Sequence, residues 1–314
     1  KKGNHLNWIT KFIKPKIAAL FKKKTADSEQ VLWTTCECKN LIYKEDLQKN
    51  LNCCPKCEAH HKLTCTERFE IFFDNKEFNL IPTPSPKDDP INFIDKKKYA
   101  DRLKSARTLT KQNDAVAIST GKVNNINVTV GAQDFRFIGG SFGAASGEAF
   151  IHGVQHAIDN KNPFIFFSCS GGQRMMESSI ALMQMSRTVL AVNELKKHNL
   201  PYVVVLTNPT TGGVTASWAM LGDILIGEKG AVIGFAGRRV IQDTVRETLP
   251  SEFQSAEWVK DHGGIDLVED RKNLRNTISV IISVLLKKEE TQANTDKSNV
   301  LTLDKSLQKS TKAL

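Results

Sequence analysis

Two pairs of glycines mark where this chain could do chemistry. Gly171-Gly172 and Gly212-Gly213 each follow a short run rich in β-branched and aromatic residues, Phe164 to Phe167 and Tyr202 to Leu206, and each precedes apolar residues at helical spacing. The pattern predicts strand, glycine turn and helix, twice over. Glycine tolerates positive φ and lets main chain approach a ligand, while the first N–H groups of a helix have no partner within it. Both pairs are therefore candidate oxyanion holes for a reaction in which charge builds on a carbonyl oxygen. Fifteen of the nineteen glycines fall between Gly131 and Gly237, so the chemistry of this region is expected from backbone. Arg174, Arg238 and Arg239 flank glycine turns and could meet a carboxylate or phosphate, with solvated surface arginine the competing reading for Arg238.

Cysteine marks a second kind of site. Six of seven cysteines lie between Cys36 and Cys65, and Cys36, Cys38, Cys54 and Cys57 form a C-x-C…C-x-x-C array with fifteen residues between its halves. That spacing predicts a zinc ribbon with one structural Zn²⁺ in four thiolates, a closed site with no open position for catalysis. The first half is one residue shorter than the usual knuckle. Cys53, His60, His61 and Cys65 stand nearby as reserve ligands. Clustering of this kind indicates metal binding in a reducing compartment rather than a disulfide framework.

One motif competes with the oxyanion reading. Gly139-Gly140-Ser141-Phe142-Gly143 fits the G-x-S-x-G nucleophile elbow, and Asp223 and His262 follow in the order a serine hydrolase would need. Glycine-dense segments match this pattern by accident, however, and it leaves the two later glycine pairs without a role. Dinucleotide, P-loop and zinc-protease motifs are absent from the sequence. Met175, Met176, Met183 and Met185 follow Gly172 and read as adaptable core or subunit-contact side chains in preference to substrate contacts.

The elements that must position these groups are legible in outline. Residues 1–30 carry apolar positions opposite lysines and suggest a basic amphipathic helix, which could dock on protein, remain a loose tail or touch a membrane surface or nucleic acid. Eight lysines before Ala26 account for most of the formal charge of +10, leaving about +2 for the rest. The ribbon is expected over 31–64 and a proline-rich linker over 65–100, with a helix opening after Lys98. Two strand-like runs fill 115–138, helices are expected near 148–159 and 274–286, and 287–314 reads as a disordered tail. No apolar run reaches the 18 or so residues of a membrane span, and a soluble cytoplasmic protein is expected.

CPKC, FIGGSFG, SGGQRM, LMQMSRT, NPTTGGVTASWAMLGD, GFAGRRVI and VRETLP, in this order, resemble the β subunit of bacterial and plastid acetyl-coenzyme A carboxylase carboxyltransferase from about Leu6 to Leu286. Cys36-Glu37-Cys38, Gln173 and Arg238 depart from the family's usual words. The resemblance implies an α/β crotonase-like fold of stacked ββα units over 101–286, preceded by the four-cysteine ribbon. It also implies transfer of a carboxyl group from carboxybiotin to acetyl-CoA, giving malonyl-CoA for fatty acid synthesis. Gly171, Gly172, Gly212 and Gly213 would then be the main-chain donors, with Arg174 and Arg239 holding substrate. A separate α subunit, in an α₂β₂ assembly, would complete the site. A biotin carboxyl carrier protein would bring the biotin, and a biotin carboxylase would use the ATP. Nucleic acid is a secondary partner in this reading.

Overall fold

The runs before the glycine pairs lack the in-and-out alternation of a half-exposed strand, which places them where both faces of a sheet are covered. The computed structural model describes residues 32–287, and both runs lie at the middle of its large sheet. The ribbon holds β1 (Trp33–Thr35), β2 (Leu41–Tyr43) and α1 (Lys44–Lys49). The body begins with α2 (Cys65–Phe72), β3 (Phe78–Ile81), α3 (Tyr99–Thr110), β4 (Val116–Val123), β5 (Ile126–Gln133) and α4 (Ala144–Asp159). It continues with β6 (Phe164–Ser170), α5 (Ser179–Lys197), β7 (Tyr202–Thr211), β8 (Ile224–Glu228), β9 (Ile233–Gly234), α6 (Arg238–Val245), α7 (Ala256–Asp261), β10 (Leu267–Glu269) and α8 (Arg271–Leu285).

The sheet runs β10-β8-β7-β6-β5-β4-β3, with β9 paired to the far end of β7. Strands β5, β6, β7, β8 and β10 are parallel, and β3 and β4 extend the sheet antiparallel. Consecutive side chains of the central strands feed two cores. Phe164, Phe166, Tyr202, Val204 and Leu206 pack with Phe150 and Trp218 on one face. Ile165, Phe167, Val203 and Val205 meet Phe69 and Phe72 of α2 and Leu274, Ile278 and Ile282 of α8 on the other. Because β6 and β7 are parallel neighbours, their C-terminal ends emerge at one edge, carrying both glycine pairs with them.

The β4–β5–α4 sequence is the ββα unit that the resemblance implies, and the helix expected after Lys98 is α3. Three expectations differ. The stretch 65–100 is not simply a linker: a Thr64–Glu67 capping box starts α2, whose phenylalanines enter the second core, and β3 joins the sheet edge. After Gly172 a 3₁₀ turn (Met175–Glu177) precedes α5, so the helix begins seven residues beyond the glycine. After Gly213 only turns and a 3₁₀ segment (Trp218–Met220) follow, with no α-helix before β8. The expectations for residues 1–30 and for the 287–314 tail fall outside the described residues, apart from Lys287. Among the described residues no helix is long and apolar enough to cross a membrane.

Candidate active site and metal centre

The two glycine turns touch. Gly212 has φ +68°, and a Cβ built on it would stand 2.9 Å from the Cα of Gly172 and 3.3 Å from the carbonyl oxygen of Gly171. Gly172, at φ +120°, would place a Cβ 3.3 Å from the Cα of Gly212. Backbone therefore packs directly on backbone, which only glycine allows in both conformation and space.

Accounting for each main-chain donor corrects the expected assignment. The N–H of Gly171 donates to the Gly139 carbonyl at 3.0 Å, and that of Gly172 to Ser170 Oγ at 3.0 Å. The N–H of Gly212 donates to the Phe235 carbonyl at 2.8 Å, continuing the ladder between β7 and β9. These three glycines close the turns, so their donors are spent. Among the described residues, the N–H groups of Gln173, Gly213, Val214 and Thr215 have no acceptor, because they lie one to three residues further on, where the chain coils without an upstream carbonyl to pair with. Of the four expected donors, Gly213 alone remains open.

Gln173 lies over that position: its Cγ is 2.6 Å and its Nε2 3.0 Å from where a Cβ on Gly213 would be, with Met185 Sδ at 3.0 Å. With its amide turned so that nitrogen donates, Gln173 bonds the carbonyls of Phe142 at 2.8 Å and Ala181 at 2.9 Å. The rim of the turns is apolar and open. Met175 is 69% and Phe235 67% exposed, and Leu182 and Met183 of α5 are exposed beside them, whereas Met176 is buried.

Arg174 is corrected too. Its side chain is fully buried and bonds both oxygens of Asp114, at 2.6 and 2.7 Å, as well as Tyr99 Oη, Glu177 and the Ser141 carbonyl. Burial works against its charge, and Asp114 more than compensates, holding the guanidinium above its ordinary pKa. Arg174 is thus a brace fixing the turn to α3 and to the entry of β4. Arg238 donates to the carbonyls of Leu249, Ser251 and Phe253 and organises that loop. Arg239 follows it in α6, and its side chain lies outside the described part of the structure.

The hydrolase constellation is not assembled. Ser141 Oγ accepts from Arg174 Nε, Asp223 is engaged by the Tyr202 N–H, and His262 stacks on Trp258 with Nδ1 against the Trp258 carbonyl. No hydrogen bond joins any two of Ser141, Asp223 and His262 among the described residues.

The four ribbon cysteines converge. Their Sγ atoms all lie within 4.8 Å of one another, with Cys36 to Cys57 at 3.5 Å and Cys38 to Cys54 at 3.9 Å. A tetrahedral Zn²⁺ with Zn–S of about 2.3 Å would set these separations near 3.8 Å, so the set fits the ion. The shortened knuckle is supported from the side by Asn40, whose Nδ2 donates to Cys38 Sγ at 3.3 Å, while in the other knuckle the Lys56 N–H donates to Cys54 Sγ at 3.4 Å. The Asn40 side-chain bond is the leading cause that brings Cys38 down to about 6, toward the thiolate a metal needs. Cys65 is no reserve ligand, for it is buried under the sheet with Sγ near the Ala132 carbonyl.

Comparison with known proteins places both parts of the chain in one family. A carboxyl transferase domain model matches residues 90–311, and an acetyl-CoA carboxylase zinc finger domain model matches residues 33–57. The chain is 50% identical over 287 residues to the acetyl-coenzyme A carboxylase carboxyl transferase subunit beta of Pelagibacter ubique, covering 90% of this chain and 93% of that protein. It is 45% identical over 282 residues to the protein of the same name from Jannaschia sp., covering 90% and 88%. Among solved structures it resembles the transcarboxylase 12S hexamer with hydrolysed methylmalonyl-coenzyme A bound (TM-score 0.59, 21% identity), over 76% of this chain and 43% of that one. It also resembles the malonate decarboxylase hetero-dimer of Pseudomonas (TM-score 0.54, 17% identity), over 73% and 88%. These structural likenesses carry the fold.

Proposed function

The chain belongs to the acetyl-coenzyme A carboxylase carboxyl transferase subunit beta family, and from that premise we propose that the open amides of Gln173, Gly213, Val214 and Thr215 hold the oxygen on which charge accumulates during transfer. It is a carboxyl transferase component, acting on acetyl-CoA to give malonyl-CoA for fatty acid synthesis. Taking a proton from the α carbon of a thioester moves an electron pair onto the carbonyl oxygen. A fixed N–H aimed at that oxygen stabilises the charged state, and one such donor lowers the barrier by about 2.7–4 kcal/mol in comparable sites. The observation that carries this reading is the contact between the two glycine turns, which brings the strand end carrying the unpaired Gln173 N–H against the one carrying those of Gly213, Val214 and Thr215.

Biotin, brought by a separate carrier protein, supplies the activated carboxyl group. The part of this chain is to orient the thioester and hold its oxygen. Gly171, Gly172 and Gly212 shape the turns, Arg174 braces them through Asp114, and Arg239 is kept as a candidate for the phosphates or carboxylate of the substrate. A carboxyltransferase α subunit would cover the exposed Met175, Leu182, Met183 and Phe235, completing the site in an α₂β₂ assembly with a biotin carboxylase using ATP elsewhere. The ribbon, residues 32–64, carries one structural zinc on Cys36, Cys38, Cys54 and Cys57, and the catalytic body begins at Cys65. The assembly works in the cytoplasm, with nucleic acid contact a secondary role at most.

The test combines the purified chain with α subunit, biotin carrier, biotin carboxylase, ATP and radiolabelled bicarbonate. Malonyl-CoA should form only when this chain and the α subunit are both present. Product without either one, or none with the full set, contradicts the proposal.

A further inference from the structure

We propose that Cys53, His60 and Asp270 form a second metal site, for a borderline divalent cation such as Zn²⁺, that bolts the ribbon to the body. Cys53 and His60 face each other across an isolated antiparallel bridge, flanked by hydrogen bonds from Cys54 N–H to the Ala59 carbonyl and from His61 N–H to the Asn52 carbonyl. Their side chains therefore leave the ribbon on the same side. Asp270 comes from the body, where its Oδ1 caps α8 by accepting from the Lys272 N–H at 3.0 Å, leaving Oδ2 to face His60. One sulfur, one nitrogen and one oxygen from these residues lie within 4.8 Å of one another.

The imidazole supplies the independent sign of a ligand. The His60 side chain is 3% exposed, yet neither ring nitrogen has a hydrogen-bond partner. Nε2 stands 3.5 Å from Asp270 Oδ2, long for a hydrogen bond but close to the 3.4 Å or so that separates nitrogen and oxygen ligands on a tetrahedral zinc. Behind the ring, Nδ1 faces Glu228 Oε2 at 3.6 Å, the place of the carboxylate that fixes the tautomer of a metal-bound histidine. Glu228 is itself held by Arg68 at 2.6 Å and Arg271 at 2.8 Å. His60 also lines the cleft of about 720 Å³ between ribbon and body, which gives an ion a way in and leaves room for water as a fourth ligand. The mixed thiolate, imidazole and carboxylate set suits zinc or cobalt and does not suit magnesium or calcium.

The experiment measures metal per chain by mass spectrometry after loading the full chain with Zn²⁺ and dialysing, and follows Co²⁺ titration by sulfur-to-cobalt absorption. The parent should hold two equivalents, and Cys53→Ala and Asp270→Asn one each. The charge-transfer band at saturation should fall by about a fifth in Cys53→Ala, as one of five thiolates leaves. Asp270→Asn leaves every ribbon residue intact, so it decides the matter if Cys53→Ala disturbs the ribbon itself. One equivalent in the parent, two retained in Asp270→Asn, or loss of both metals from Asp270→Asn would overturn the proposal.

Discussion

Replacing Gly212 by alanine probes the contact on which the proposed active site is built. The residue sits at φ +68°, where any L side chain costs about 1–2 kcal/mol. The new methyl would lie 2.9 Å from Gly172 Cα, against an ordinary carbon–carbon contact of about 3.5–4.0 Å, so the two turns must part by about 0.6–1 Å. Neither can yield cheaply, since the obstacle is backbone on both sides and Gly212 is tied to Phe235 through its own N–H. A shift of about 1 Å in a reacting geometry costs on the order of 10²-fold in rate. The melting temperature should fall by about 2–8 °C, following about 2–4 °C per kcal/mol for a chain of this size. Malonyl-CoA formation by the reconstituted assembly should accordingly drop about a hundredfold while the protein stays folded. Gly237→Ala is the control: that residue has φ −63° and open space where its Cβ would go. A Gly212→Ala enzyme within about threefold of the parent kcat, or a Gly237→Ala enzyme equally impaired, would refute the reasoning.

Other consequences concern the supports. Arg174→Met strands the buried Asp114 carboxylate and should lower stability by about 3–5 kcal/mol in chemical denaturation; a loss below about 1 kcal/mol would mean the brace is not formed. Ser141→Ala removes only the oxygen that accepts from Arg174 Nε, so carboxyl transfer should stay within about threefold, whereas a serine hydrolase would be abolished. Chelation, or Cys54→Ser, should release the metal of the four-cysteine site and expose the ribbon to protease while the sheet stays folded, as read by circular dichroism and limited proteolysis.

Much of this was legible in the sequence because it rests on local patterns. The central strands were visible since Phe164–Phe167 and Tyr202–Leu206 are uninterrupted apolar runs, and the ribbon since its thiols are spaced for one ion. What escaped depends on partners far along the chain. Helix α2 is only eight residues long and follows a cysteine-rich stretch, and only the second core explains why Phe69 and Phe72 turn inward. Arg174 looks like an anion ligand beside a glycine turn until Asp114, sixty residues earlier, is found to hold it. Which glycine amides are free follows from Gly139, Ser170 and Phe235, and no sequence spacing gives that pairing. Apart from Gly213, the Gly-Gly words stop one or two residues short of the amides that the structure leaves without an acceptor.

The proposed grip on a thioester oxygen falls to the main chain just beyond two touching glycine turns. It is tested most directly by a structure of the complete carboxyltransferase with a ketone analogue of acetyl-CoA. The analogue's carbonyl oxygen should lie within about 2.7–3.1 Å of N–H donors drawn from Gly213, Val214, Thr215 and Gln173. An oxygen bound elsewhere, with those amides facing protein or bulk water, would contradict the account.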